Sequence, residues 1–101
     1  MKFKAVHKDV DFGNGCKIVT TTQTLSGKVI TFTDCNGLEL PFTFILVNKG
    51  KIGNIYEYST GMPLGHYMDS NYLVHSLRYY FKSNTVEKVR MHIDKWDKIN
   101  F

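Results

Sequence analysis

Cysteine and histidine are the residues of this chain best suited to metal binding or nucleophilic catalysis. They are few in number: Cys16, Cys35, His7, His66, His75 and His92. Structural zinc sites usually take their ligands from short Cys-x-x-Cys or His-x-x-x-His spacings, and neither spacing occurs here. The sequence therefore predicts no bound metal and no cofactor, and two cysteines are too few for a disulfide scaffold.

The two cysteines lie in separate runs that flank the turn residues Ser26-Gly27. If those runs form a hairpin at this turn, Cys16 and Cys35 face each other directly or diagonally, and the thiols lie close together. The favoured interpretation is that both are packed as small hydrophobic residues. A redox-sensitive pair and half of a zinc site are the alternatives.

Acidic residues form no recognisable catalytic or calcium-binding pattern. The segment 9–15 resembles a calcium loop in its spaced oxygen ligands, but it has Asn14 where such a loop needs glycine and Thr20 where it needs glutamate. No Gly-x-Ser-x-Gly nucleophile motif occurs. The sequence therefore nominates no catalytic residue and predicts that the protein is not an enzyme. A small enzyme that uses His66 or the cysteines is one alternative.

A glycine-containing loop, Gly61 to Gly65, precedes a predicted helix. Helix N-termini that follow such loops can bind anions, but the Gly-Lys-Ser/Thr ending of a phosphate-binding P-loop is missing here. The loop is therefore predicted to be a flexible crossover that returns the helix to the sheet.

Aromatic residues with basic neighbours point toward nucleic acid. Tyr56 and Tyr58 alternate along one predicted strand, and Lys49 and Lys51 precede them. Tyrosines on a sheet can stack on bases while lysines contact phosphates. The favoured alternative is that these tyrosines complete the core under the helix with their hydroxyls at its rim, because no RNP-type aromatic motif is present.

The predicted partner-binding surface is the C-terminal third of the chain, residues 72–98. Protein interfaces are enriched in Tyr, Trp, Met and Arg, which are well supplied in this region. The predicted contact residues are aromatic or basic: Tyr72, Arg78, Tyr79, Lys82, Lys88 and Arg90. The expected partner is a protein or a nucleoprotein. Direct binding of single-stranded nucleic acid is the second hypothesis, and no membrane is expected.

Turn residues in the first sixty positions define the strands that support this surface. Runs rich in Val, Ile, Thr and Phe are separated by Gly13-Asn14-Gly15, Ser26-Gly27, Asn36-Gly37 and Asn48-Lys49-Gly50. Strands are therefore predicted at about 2–8, 16–24, 28–34, 38–47 and 52–58, in an antiparallel meander. In the fourth run, apolar residues alternate from Leu38 to Leu46 onto one face, and Pro41 predicts an edge or a bulge.

Two helices are predicted after the strands. Asp69 or Ser70 can cap a helix that ends near Lys82, and its apolar positions are Leu73, Val74, Leu77, Tyr80 and Phe81. In the tail, Val86, Val89, Ile93 and Trp96 fit a helical stripe, while Val89, Met91 and Ile93 also alternate as in a strand. Thr85 as a cap, Glu87 in the first turn and an Asp94–Lys98 pair favour the helix.

The predicted fold class is α+β: an antiparallel meander of about five strands packed against one or two C-terminal helices. A chain of 101 residues supports one hydrophobic core, which predicts a single domain over residues 1–101. The net charge of +4 favours anionic partners only weakly, because no block of like charges exists. The N-terminus lacks a signal-like apolar stretch, and the longest apolar run, 41–47, is far below the ~20 residues of a membrane span. The sequence therefore predicts a cytoplasmic protein.

In its size, composition and lack of catalytic motifs, the chain resembles the small proteins with which phages and mobile elements disable host defence nucleases, the anti-CRISPR proteins among them. No particular residue pattern carries this resemblance. It implies an inhibitor that acts on a host nucleoprotein defence complex by blocking its binding, assembly or movement.

Overall fold

The computed structural model of the chain describes residues 1–11, 13, 15, 17–64 and 68–101. Six strands are followed by two helices: β1 (Lys2–Asp11), β2 (Lys17–Ser26), β3 (Lys28–Ile30), β4 (Phe44–Lys49), β5 (Ile52–Glu57), β6 (Met68–Asp69), α1 (Ser70–Lys82) and α2 (Val86–Ile93). β6 has only two residues. The predicted α+β class, with five main antiparallel strands and two C-terminal helices, is confirmed.

The strands form two sheets, which corrects the prediction of one continuous meander. β1 and β2 make a two-stranded antiparallel ribbon, and the second sheet has the order β3-β4-β5-β6. The hairpin predicted around Ser26-Gly27 does not form, because β2 and β3 belong to different sheets. The register that would have brought Cys16 opposite Cys35 is therefore wrong. Cys16 itself lies outside the described residues.

Gly27 connects the two sheets without turning the chain back. Its N–H donates to the Met1 carbonyl at 3.0 Å, and its own carbonyl accepts from the Met1 ammonium at 2.8 Å. A Cβ at this position would lie 2.6 Å from Cγ2 of Ile45. Glycine is thus needed here for the close approach to β4, rather than for a turn.

The chain between β3 and β4 is less regular than the predicted strands at 28–34 and 38–47. It forms a small hairpin in which the Leu40 N–H donates to the Phe32 carbonyl at 2.8 Å. The Asn36-Gly37 turn is confirmed at its tip, where Gly37 has a φ of 78°. Leu38 is exposed, and β4 begins only after Pro41. The proline therefore lies outside the ladder, where its missing N–H costs no hydrogen bond.

The core has two apolar clusters on opposite sides of the β4–β5 pair. The larger cluster joins this sheet to both helices, and its buried members are Phe32, Leu40, Phe44, Ile55, Met62, Leu73, Phe81, Val89 and Ile93. The smaller cluster joins the sheet to the ribbon through Phe3, Ala5, Ile45 and Tyr56. Ile45 and Tyr56 are paired across the strands. The alternation of side chains along β4 and β5 therefore supplies one face to each cluster.

Both helices form where the sequence predicts them. The Asp69 carboxylate caps α1, and the Thr85 hydroxyl accepts from the Lys88 N–H at 3.3 Å to cap α2. The helical interpretation of the tail is confirmed. α2 ends at Ile93 with Asp94 as its C-cap, so the expected Asp94–Lys98 helical pair does not exist. Within the described parts of the chain, no helix combines the length and apolar character needed to cross a membrane.

The C-terminal residues attach the ribbon to the second sheet. The Asn100 side chain accepts from the Lys4 N–H and donates to the Lys4 and Tyr58 carbonyls, at 2.7 to 2.8 Å. The ammonium of Lys8 lies 3.9 Å from the ring centroid of Trp96. The tail thus contacts β1 at two points, which are separated by four residues along the strand.

Candidate partner-binding surface

Helix α1 is held in a fixed orientation by its cap and by its buried side. Asp69 accepts hydrogen bonds from the amides of Asn71 and Tyr72 at 3.0 and 3.2 Å. Leu73 and Phe81 are buried, and Phe81 packs 5.2 Å from the ring centroid of Phe44. Because this side points into the core, the opposite side of α1 is presented to solvent.

We call that solvent side the α1 face. It consists of five exposed residues: Tyr72, His75, Arg78, Tyr79 and Lys82. Tyr72 and Tyr79 are 60% and 74% exposed. They are seven residues apart, which places them two turns apart on the same side of a helix. Four of the six predicted contact residues therefore share one surface.

Lys88 and Arg90, the other two predicted contact residues, do not form a common patch on α2. Both are exposed, but residues two positions apart leave a helix in directions that differ by about 200°. The guanidinium of Arg90 lies 5.7 Å from the ring centroid of Phe42. Arg90 thus lies against the segment that precedes β4, and Lys88 leaves α2 in a different direction.

The electrostatic character of the α1 face is basic. Arg78 and Lys82 are its ionisable cations, and the helix sequence Ser70–Lys82 contains no Asp or Glu. The nearest carboxylate in sequence is that of the N-cap, Asp69, which accepts two amide hydrogen bonds. An acidic surface of a partner would therefore meet no negatively charged side chain from this helix.

An apolar cleft of about 500 Å³ lies beside the α1 face, between the two helices and the segment that follows β5. Its wall includes Tyr80 from α1 and His92 from α2, and Trp96 from the tail. The remaining lining residues are apolar: Phe44, Met62, Pro63, Leu64, Leu77, Phe81, Val89 and Ile93. Tyr80, predicted as a core position, is 42% exposed at this cleft. The sequence analysis did not identify the cleft, because its lining comes from four separate segments.

A second cavity of about 340 Å³ lies between the ribbon and the β4–β5 hairpin. His7 and Lys49 are the ionisable residues in its wall, together with the phenol of Tyr56. Nε2 of His7 is buried and makes no hydrogen bond within the described residues. Neither cavity is lined by a carboxylate or a thiol of the described residues.

The two carboxylates that are buried among the described residues accept hydrogen bonds from neighbouring backbone and hydroxyl groups. Asp34 accepts from the amides of Asn36 and Leu38 at 2.8 and 3.0 Å. Glu57 accepts from the amides of Ser59 and Thr60, both at 3.1 Å, and from both hydroxyls. The carboxylate of Asp34 organises the Asn36-Gly37 turn, as short acidic side chains commonly do, and that of Glu57 holds the turn that follows β5.

The loop that follows β5 is not an exposed crossover in its first half. Thr60, Gly61 and Met62 are buried, and the Val6 N–H donates to the Gly61 carbonyl at 2.9 Å. This part of the loop is fixed between β1 and β5, contrary to the prediction of flexibility. His66, nominated for the enzyme alternative, lies outside the described residues.

The strand tyrosines proposed for base stacking are not available as a surface pair. Tyr56 is 2% exposed and packs 5.4 Å from the ring centroid of Phe3. It is buried under the ribbon rather than under the helix, so the alternative core location was also wrong. Tyr58 is only half-buried. The large tyrosine surfaces in the described chain are those of the helix.

Cys35 is a free, exposed thiol in the turn after Asp34. Among the described residues, no group of three or more His, Cys, Asp or Glu side chains is arranged to hold a metal ion. Comparison of the chain with protein-family models, with curated proteins and with solved structures finds no match.

Proposed function

We propose that this protein is a non-catalytic binding protein and that the α1 face is its contact surface for a protein or nucleoprotein partner. The observation that carries the proposal is the pair Tyr72 and Tyr79, 60% and 74% exposed on one side of a capped helix. Tyrosine offers a large contact area at a low cost in side-chain entropy, which is why it is enriched at interface hot spots.

The basic charge of the α1 face favours an acidic partner. Arg78 and Lys82 flank Tyr79 without any acidic residue in the helix. Complementary charge of this kind raises the association rate and selects against basic partners. The cleft beside the face adds an apolar recess that can receive a side chain of the partner.

A host nucleoprotein defence complex in the cytoplasm is the partner class that we propose. Its support is the resemblance in size and composition to anti-defence proteins, together with a basic, tyrosine-bearing helix whose charge suits an acidic protein surface or the nucleic acid of such a complex. In this proposal the protein inhibits by occupying a surface, so no chemical step is required of it.

A photocrosslinking experiment tests the contact surface and captures the partner in the same step. Tyr79 is replaced with the photoreactive p-benzoylphenylalanine, and the same probe is placed at Leu38, which is 66% exposed and outside the α1 face. After irradiation in a lysate of the source cells, we expect one specific product from position 79 and none from position 38.

Competition then shows whether the tyrosine pair is responsible for the product. Excess unlabelled wild-type protein should suppress the crosslink, whereas excess Tyr72→Ala/Tyr79→Ala protein should not. Equal suppression by both proteins would contradict the assignment. If the product is nucleic acid alone and its yield falls steeply with salt, the single-strand-binding alternative replaces the proposal.

A further inference from the structure

The outer edge of β2 is an open β-sheet edge. Among the residues that the structure describes, β2 pairs only with β1. Its sequence from Ile18 to Leu25 is rich in β-branched residues and contains no proline. Natural proteins usually protect such edges with prolines, charges, bulges or a covering segment.

Hydrogen bonds on β1 reveal which backbone groups of β2 point outward. Val6 and Lys4 donate their N–H groups away from β2, to Gly61 and Asn100. In an antiparallel pair, residues opposite such positions also point their N–H and C=O groups outward. Thr22 is opposite Val6 and Thr24 is opposite Lys4. By the alternation of the strand, Ile18 and Thr20 share this orientation.

The side chains of β2 are largely open to solvent as well. Every described side chain of β2 from Ile18 to Thr24 is exposed, and Ile18 reaches 71%. An isolated two-stranded hairpin is at best marginally stable in water, and a third strand is the usual remedy. The other side of the ribbon is already occupied near Lys4 and Val6.

We propose that β2 pairs antiparallel with β2 of a second copy of this chain, to give a four-stranded sheet across a two-fold axis. A self-pairing edge is isologous, as in most symmetric dimers. Between Lys17 and Lys28 there is no charged residue. An antiparallel pairing centred on Thr21 or Thr22 therefore places no like charges opposite each other.

The outward orientation of the even-numbered residues restricts the register. Even residues of one copy must face even residues of the other, which places the axis at a residue rather than between two residues. Thr21 and Thr22 are the two residues nearest the middle of β2, so a pairing that uses most of the strand is centred on one of them. Either register puts threonines opposite threonines, and such cross-strand pairs are favourable. Because each copy has a net charge of +4 while the shared edge is neutral, dimerisation should strengthen as salt screens the repulsion. An interaction with nucleic acid would weaken instead.

Sedimentation equilibrium of the purified protein from about 0.05 to about 0.5 M NaCl tests the proposal. We expect a monomer–dimer equilibrium with a smaller dissociation constant at higher salt. Thr22→Pro removes one outward N–H and leaves the hydrogen bonds to β1 in place. It should raise the dissociation constant by more than about tenfold, whereas Thr22→Val should not.

A second pair of variants distinguishes loss of dimerisation from misfolding of the Thr22→Pro protein. Thr20→Lys/Thr22→Lys adds charge to the edge, and Thr31→Lys/Asn36→Lys adds the same charge at exposed positions outside it. Only the edge variant should become monomeric, with an unchanged circular dichroism spectrum. A wild-type protein that stays monomeric at all salt concentrations overturns the proposal, as does a dimer that survives the edge lysines.

Discussion

Gly61→Ala is a direct probe of how the ribbon is attached to the rest of the molecule. Gly61 is buried with a φ of 71°. A Cβ at this position would lie 3.1 Å from the Val6 nitrogen and 3.2 Å from the Ala5 Cα, and closest of all to the Lys4 carbonyl oxygen. All three are backbone atoms of β1, so no side-chain rotation can relieve the contact.

The expected destabilisation has two parts. A positive φ costs a non-glycine residue about 1 kcal/mol. Displacement of β1 would in addition break the hydrogen bond from Val6 to Gly61 and loosen the packing of Phe3, worth about 2 kcal/mol together. We therefore expect Gly61→Ala to lower the free energy of unfolding by about 3 kcal/mol. Gly50 also has a positive φ, of 67°, but a Cβ there meets nothing within 4 Å. Gly50→Ala should cost only about 1 kcal/mol.

Urea denaturation of both variants, followed by circular dichroism, measures this difference. The comparison cancels the cost of the positive φ and isolates the close approach of the loop to β1. Equal losses of stability in the two variants would refute the reasoning, because the contact with β1 would then contribute nothing.

Three further predictions concern the core, the cap and the thiols. Phe44→Ala should cost about 3–5 kcal/mol, because its ring is fully buried between Phe32 and Phe81. Leu77→Ala should cost only about 1–2 kcal/mol, because Leu77 lies half-buried at the wall of the cleft. A larger loss for Leu77→Ala than for Phe44→Ala in urea denaturation would contradict the assignment of Phe44 to the centre of the core. Asp69→Ala should lower the free energy of unfolding by about 1 kcal/mol and reduce the helical circular dichroism signal, because it removes the N-cap of α1. An unchanged melting temperature would mean that the cap is dispensable. Changing both cysteines to serine should cost about 1–2 kcal/mol, and mass spectrometry should detect no stoichiometric zinc in the wild type, since one zinc per chain would establish a metal site.

Local signals in the sequence were sufficient for the helices. Asp69 and Thr85 cap the helices that the apolar spacing predicts, because a cap and a helical stripe act within a few residues of each other. The turns at Asn36-Gly37 and Asn48-Lys49-Gly50 were predictable for the same reason, and both contain a glycine with positive φ.

The separation of β2 from β3 was not predictable from the same signals, although the pairings of β1 with β2, β3 with β4 and β4 with β5 agree with the predicted meander. Ser26-Gly27 is typical of a hairpin turn, yet Gly27 is required by its contact with β4. A glycine that allows a close approach and a glycine that allows a turn are identical in sequence. Whether β2 also pairs with β3 therefore depended on tertiary packing, which no local pattern specifies.

The candidate site was predicted in part. The helical spacing of Tyr72 and Tyr79 is visible in the sequence, and the structure places both on the exposed side of α1. The contact of Arg90 with Phe42 could not be predicted, because it joins segments that are far apart in sequence. Burial of Tyr56 under the ribbon depended in the same way on the packing of a separate β1–β2 sheet against the second sheet, which the predicted meander did not contain.

The affinity of the crosslinked partner for tyrosine variants tests the central claim most directly. Isothermal titration calorimetry would compare the wild type with Tyr72→Ala/Tyr79→Ala, and with Leu38→Ala as the matched change at an exposed position. If the α1 face is the contact surface, the double variant should bind at least about 100-fold more weakly, while Leu38→Ala stays within about threefold of the wild type. An unchanged affinity in a double variant that retains its circular dichroism spectrum and melting temperature would contradict the claim.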